Sequence, residues 1–166
     1  MTRWYVCLPG MLLVTMLAVA YGATLKHAEE AKELAEKVLT RVVVGDIEGI
    51  ATVVKPYWSF SEDELEALVT QTAQQRHLLA HRLGKSIGFT FVRRELAADT
   101  FLRLIYIERC EHTGLRWLFT FYKVKDVWKF HGFAWDEEIA QLFSSGPEPG
   151  RRDALPGQKP HGTHSR

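Results

Sequence analysis

The stretch FTFYKVKDVWKFHGFAW, residues 119–135, carries the alternation from which the fold can be read. Eight aromatic rings, counting His131, fall within seventeen residues around a polar break at Lys125 and Asp126. Period-two alternation interrupted by two polar residues is the pattern of two strands joined by a tight hairpin turn. With Lys125 and Asp126 as the central turn residues, Val124 pairs with Val127 and Phe121 with Phe130. Continued without interruption, the pairing sets Thr120 against His131 and Trp117 against Ala134. One face then holds Trp117, Phe119, Phe121, Trp128 and Phe130, and is expected to lie under helices. The other holds Leu118, Thr120, Tyr122, Lys129, His131, Phe133 and Trp135.

Working backwards, SIGFTFVRREL, TFLRLIYIERCE and LRWLFTFYKVK repeat the same alternation between short polar turns, which predicts a four-stranded antiparallel meander. The turn EHTGL sets the register of the middle pair. A three-residue loop with a bulge at Gly114 puts Ile105 and Ile107 on the helix-covered face and Arg109 opposite Trp117. It leaves Leu102, Leu104, Tyr106 and Glu108 on the outer face. A two-residue loop exchanges the two sets and turns Glu108 inward; the sequence admits both, and the bulge is the expected register.

Before the strands the period is that of helices. Leu25, Ala28, Ala31, Ala35, Val38 and Val42 recur at three- and four-residue intervals, and Gly45 ends the run. Asp46 can cap a second short helix, IEGIATVVK, which is expected to end at Pro56. In FSEDELEALV, Ser61 and Glu64 form a capping box, with Phe60 and Leu65 placed as a hydrophobic staple. The third helix carries the stripe Leu65, Leu68, Val69, Thr72, Leu79 and Leu83 and stops at Gly84. WDEEIAQLF reads as one last helical turn or two, counted with the helices that cover one side of the sheet. The fold class is α+β, with N-terminal helices packed on a curved four-stranded antiparallel meander to form a cone.

The flanks differ in composition. Residues 1–22, MTRWYVCLPGMLLVTMLAVAYG, join one cation, an apolar run and small residues at Ala18 and Ala20, as an export signal peptide does. The competing reading is an uncleaved membrane anchor reaching back to Val6, which Pro9 and Gly10 interrupt. Residues 23–143 form the domain, and residues 144–166, rich in Pro, Gly and Ser, read as a disordered tail. Without Arg3 the remaining Lys and Arg equal the 20 Asp and Glu, so no general attraction to nucleic acid or anionic membrane is expected. Cys110 is then the one cysteine left, too few for an internal disulfide.

Helices followed by a meander that closes on W-x-F-x-G-F, here Trp128, Phe130, Gly132 and Phe133, resemble the nuclear transport factor two-like family of the cystatin-like superfold. The resemblance spans about residues 24–143. It implies a cone between helices and sheet, and dimers through the outer sheet face in many members. The family includes isomerases, dehydratases, small-ligand binders and non-enzymatic accessory domains. Its isomerases use an acidic base with a tyrosine and an acid as oxyanion donors, and no such residue carries over to this chain by motif.

The chemical candidates are few. Glu108 is the mid-strand acid that would serve an enzyme, if it turns inward. His77 and His81 have metal-binding spacing but face away from the apolar stripe, without the glutamate of the H-E-x-x-H motif, so no metal or cofactor is expected. Tyr57, Trp58, Arg109, Trp117 and Trp128 are the candidates to line a ligand cone. Leu104, Tyr106, Leu118, Tyr122, Phe133 and Trp135 would form an outer patch larger than monomers leave bare, and predict a homodimer. The expected function is an exported, non-enzymatic binding module for a small apolar or amphipathic ligand or a partner protein. The alternatives are an isomerase- or dehydratase-type enzyme and a structural accessory subunit.

Overall fold

The computed structural model describes residues 23–143. The expected export segment and tail lie outside the described residues. Helix α1 (Ala28–Val43) buries Ala31, Leu34, Ala35, Val38, Leu39 and Val42, the face set by its apolar spacing. Gly45 takes a φ of 80°, and Asp46 Oδ1 accepts the Gly49 N–H at 2.9 Å where α2 (Gly49–Val54) begins. The α-helical pairing stops at Val54, but the chain passes through Pro56 in a 3-10 turn, Lys55–Tyr57. Proline is tolerated there because the first residues of a helical turn need no N–H partner.

Helix α3 (Glu62–Leu83) begins with the expected capping box. The Ser61 hydroxyl accepts the Glu64 N–H at 3.3 Å, and the Glu64 carboxylate accepts the Ser61 N–H at 3.0 Å. Phe60 does not close as an inward staple. It stays exposed and sets its ring against Trp58 and His131.

The strands β1 (Ser86–Ala97), β2 (Phe101–Cys110), β3 (Gly114–Val124) and β4 (Val127–Asp136) form one antiparallel sheet in sequence order. Three helices pack against it, so the α+β class holds. Two register expectations are corrected. Between β2 and β3, Tyr106 pairs with Trp117, Leu104 with Phe119 and Arg109 with Gly114. Leu104, Tyr106 and Glu108 therefore lie under the helices, fully or almost fully buried, and Arg109 is exposed. This alternative wins because it stacks Leu102, Leu104 and Tyr106 beside Trp117, Phe119 and Phe121 in one core. It also gives Glu108 a cationic partner.

The second correction is in β4. Phe121 pairs with Phe130 as expected, but Thr120 pairs with Gly132, leaving His131 as an extra residue in a bulge. A bulge shifts the alternation by one residue. Phe133 and Trp135 thereby move to the helix side, where Phe133 is buried and Trp135 half-buried. Of the six residues expected to form an outer patch, Leu118 and Tyr122 stay outside.

The outer face forms rows across the strands. Thr90, Ile107, Arg116 and Asp136 make one row, and Arg93, Ile105, Leu118 and Ala134 the next. A terminal 3-10 turn, Ile139–Leu142, lies over these two rows rather than with the helices. Arg93 donates to the Leu142 carbonyl at 3.0 Å, and Arg116 to Asp136 at 2.7 and 3.0 Å. The next two rows, Glu95, Arg103, Thr120 and Gly132, then Ala97, Phe101, Tyr122 and Lys129, lie beyond that turn.

Candidate functional site

The inner face concentrates charge at one point. Glu108, with no exposed surface, receives Arg76 Nη1 at 2.8 Å on one oxygen and Nη2 at 2.7 Å on the other. Trp117 Nε1 donates at 2.8 Å and the Cys110 thiol lies at 3.6 Å. Four donors thus meet a carboxylate with about four acceptor sites. Arg76 lies over the rings of Trp117 and Trp135, at 5.9 and 5.8 Å, which adds cation–π attraction. Burial, reinforced by the Glu108 charge, pushes the Cys110 thiol up to about 11. A carboxylate so committed is not placed to abstract a proton, and a thiol so protonated is not a nucleophile near neutral pH.

Around this cluster aromatic rings fill the space between helices and sheet, where Tyr106, Trp117, Phe119, Phe121 and Phe130 are all fully buried. A cleft of about 330 Å³ opens toward the β1 edge between Ala28, Glu29 and Lys32 of α1 and Phe91, Arg94 and Leu104. The Tyr106 hydroxyl contacts Glu36 at 3.4 Å, and burial together with that carboxylate raises its pKa above the ordinary range.

The two uncovered outer rows carry exposed aromatic side chains. Phe101 and Tyr122 pair across β2 and β3 with ring centroids 5.1 Å apart. The bulge aims His131 into the same area, where its ring lies 6.0 Å from Phe101 and 5.4 Å from Phe60. Phe60 is brought there by residues 58–60, which run beside β4 through a bridge from Trp58 to Phe130. Phe101 and Tyr122 stay 39% and 41% exposed, a large apolar surface for a sheet that has a covering element available. These rings line two adjoining clefts that share Phe101 and His131. One, of about 560 Å³, is apolar and lined also by Phe60, Tyr122, Val124, Lys129 and Phe130. The other, of about 540 Å³, is lined also by Glu95, Leu96, Ala97, Arg103 and Thr120.

The residues expected to line a ligand site do not converge. Trp117 belongs to the inner charged cluster, while Trp128 is buried at the β4 edge with Leu25 paired to its backbone. Trp58 is half-buried and donates its indole N–H to the Ser61 carbonyl at 2.9 Å. Tyr57 is half-buried in its 3-10 turn, and Arg109 points outward over Gly88. His77 and His81 are exposed, and among the described residues no three His, Cys, Asp or Glu side chains group as a metal site would require. Sequence reasoning missed Phe60 and Phe101 as a groove, because their association with His131 depends on the β4 bulge and on where residues 58–60 run.

Among the described residues no helix is long and apolar enough to cross a membrane. Compared with models of protein families, with curated proteins and with solved structures, the chain matches none.

Proposed function

We propose that this protein is a non-enzymatic binding module, related in architecture to the nuclear transport factor two-like family, that binds through the aromatic groove on its outer sheet face. The observation that carries this reading is the contrast between the two faces. Inside, the acid that an isomerase would need is held by Arg76, Trp117 and Cys110. Outside, Phe60, Phe101 and Tyr122 remain in water around clefts large enough for a small ligand. Exposed apolar area of this kind costs solubility and persists where it is used for binding.

The test is a titration of the isotope-labelled full chain with 1-octanol, a neutral apolar probe, followed by backbone amide shifts. Shifts are expected at Phe101, Tyr122, Lys129 and His131, and are lost in Tyr122→Ser. Shifts centred on Tyr106 and Phe119 would instead mean that the ligand enters between helices and sheet, and would overturn the groove.

A further inference from the structure

We propose that the groove takes a small amphipathic monocarboxylate, its apolar body on Phe60, Phe101 and Tyr122 and its carboxylate on Arg103. This rests on the reading of the groove as the binding surface and goes further in naming what fills it. The two clefts differ in chemistry yet share a border. The row of Ala97, Phe101 and Tyr122 is apolar, and the row beside it, Glu95, Arg103 and Thr120, is polar. A ligand lying across both rows must itself have an apolar part and a polar head.

The sign of the head follows from the ion pairs. Glu95 is engaged by Arg93 at 2.9 Å, and its other oxygen stands 3.9 Å from Arg103, whose side chain is 52% exposed. Arg93 takes the closer share of the one carboxylate lining the polar cleft, and Arg103 keeps only the longer 3.9 Å ion pair with it. The half-exposed Arg103 guanidinium thus has N–H groups left for a ligand. Lys129 at the end of the apolar row adds positive potential. The Thr120 hydroxyl and the His131 imidazole line the same cleft as Arg103 and are further polar groups for an anionic head. One guanidinium so loosely paired matches one carboxylate, whose two oxygens it can meet in a plane. An ammonium head would meet like charge.

Octanoate, octanol and octyltrimethylammonium share a chain length and differ in the head, so titrating the full chain with each separates the two readings. Octanoate is expected to bind at least about tenfold tighter than octanol, a difference of about 1.4 kcal/mol. Octyltrimethylammonium is expected to bind more weakly than octanol. Arg103→Gln should erase the advantage of octanoate and leave octanol unchanged, whereas Tyr122→Ser should weaken both together. Equal affinity for octanoate and octanol overturns the carboxylate and leaves the groove standing. Absence of groove shifts with all three overturns both. An apolar peptide with a free C-terminal carboxylate that outcompetes octanoate tenfold would give the groove to a protein tail and overturn the small ligand.

Discussion

Arg76 stands where the apolar stripe of α3 ought to carry a leucine. Leu65, Val69, Thr72, Leu79 and Leu83 recur at helical spacing, and Arg76 fills the gap between Thr72 and Leu79. A guanidinium on the buried stripe requires a buried acid, and Glu108 is the mid-strand acid of the facing sheet. That pairing alone would have selected the observed β2–β3 register over the one with a bulge at Gly114. The signal lies in the spacing of α3, whereas the EHTGL turn by itself admits both registers. The pair also makes an asymmetric energetic prediction. Glu108→Ala strands a cation beneath α3 and should cost about 3–5 kcal/mol in urea unfolding, while Arg76→Met with Glu108→Leu should recover most of that loss. If the double substitution is as damaging as the single one, the charge pair contributes net stability and the core does not tolerate its replacement.

At the level of elements, local signals were legible and long-range ones were not. The Ser61 capping box, the Gly45 and Gly84 stops and the Lys125 and Asp126 turn all depend on a few neighbouring residues. The His131 bulge depends on what Phe133 and Trp135 gain by turning under the helices, which no local pattern states. The terminal 3-10 turn is a second such case, since Arg93 and Arg116 from distant strands donate to its Leu142 carbonyl and Gln141 side chain on the outer face. Burial works to raise the Asp136 pKa, but the hydrogen bonds from Arg116 and the Glu138 N–H outweigh it and hold the group below its usual 3.8. A group whose folded pKa is depressed contributes stability above its unfolded pKa and loses it as pH falls through the folded value. Below about pH 3.8 the turn should therefore loosen before the sheet does. Methyl signals of Ile139 and Leu142 should shift in that range while those of Val38 and Leu39 stay fixed, and Asp136→Asn should remove the pH dependence. Simultaneous loss of both sets would mean that the turn has no separate acid transition.

On the scale of the whole molecule, the sheet carries two apolar surfaces with different duties. The inner one joins Phe119, Phe121 and Phe130 to the helices, and emptying it is costly: Phe119→Ala should destabilise the chain by about 3–5 kcal/mol. The outer one has lost much of the area that argued for a dimer, since Leu104, Tyr106, Phe133 and Trp135 turn inward and the terminal turn covers the rows around Ile105. What is left, Phe101 and Tyr122 beside Phe60, suits a small ligand better than the roughly 800 Å² per partner that a stable interface buries. Tyr122→Ser is therefore expected to change unfolding free energy by less than about 0.5 kcal/mol, as surface substitutions do, while removing octanol binding. At high micromolar concentration the chain should sediment as a monomer, with or without the substitution. A dimer that dissociates on Tyr122→Ser would assign the groove to a second copy, and the two rows of the outer face would then meet their own mates across a two-fold axis.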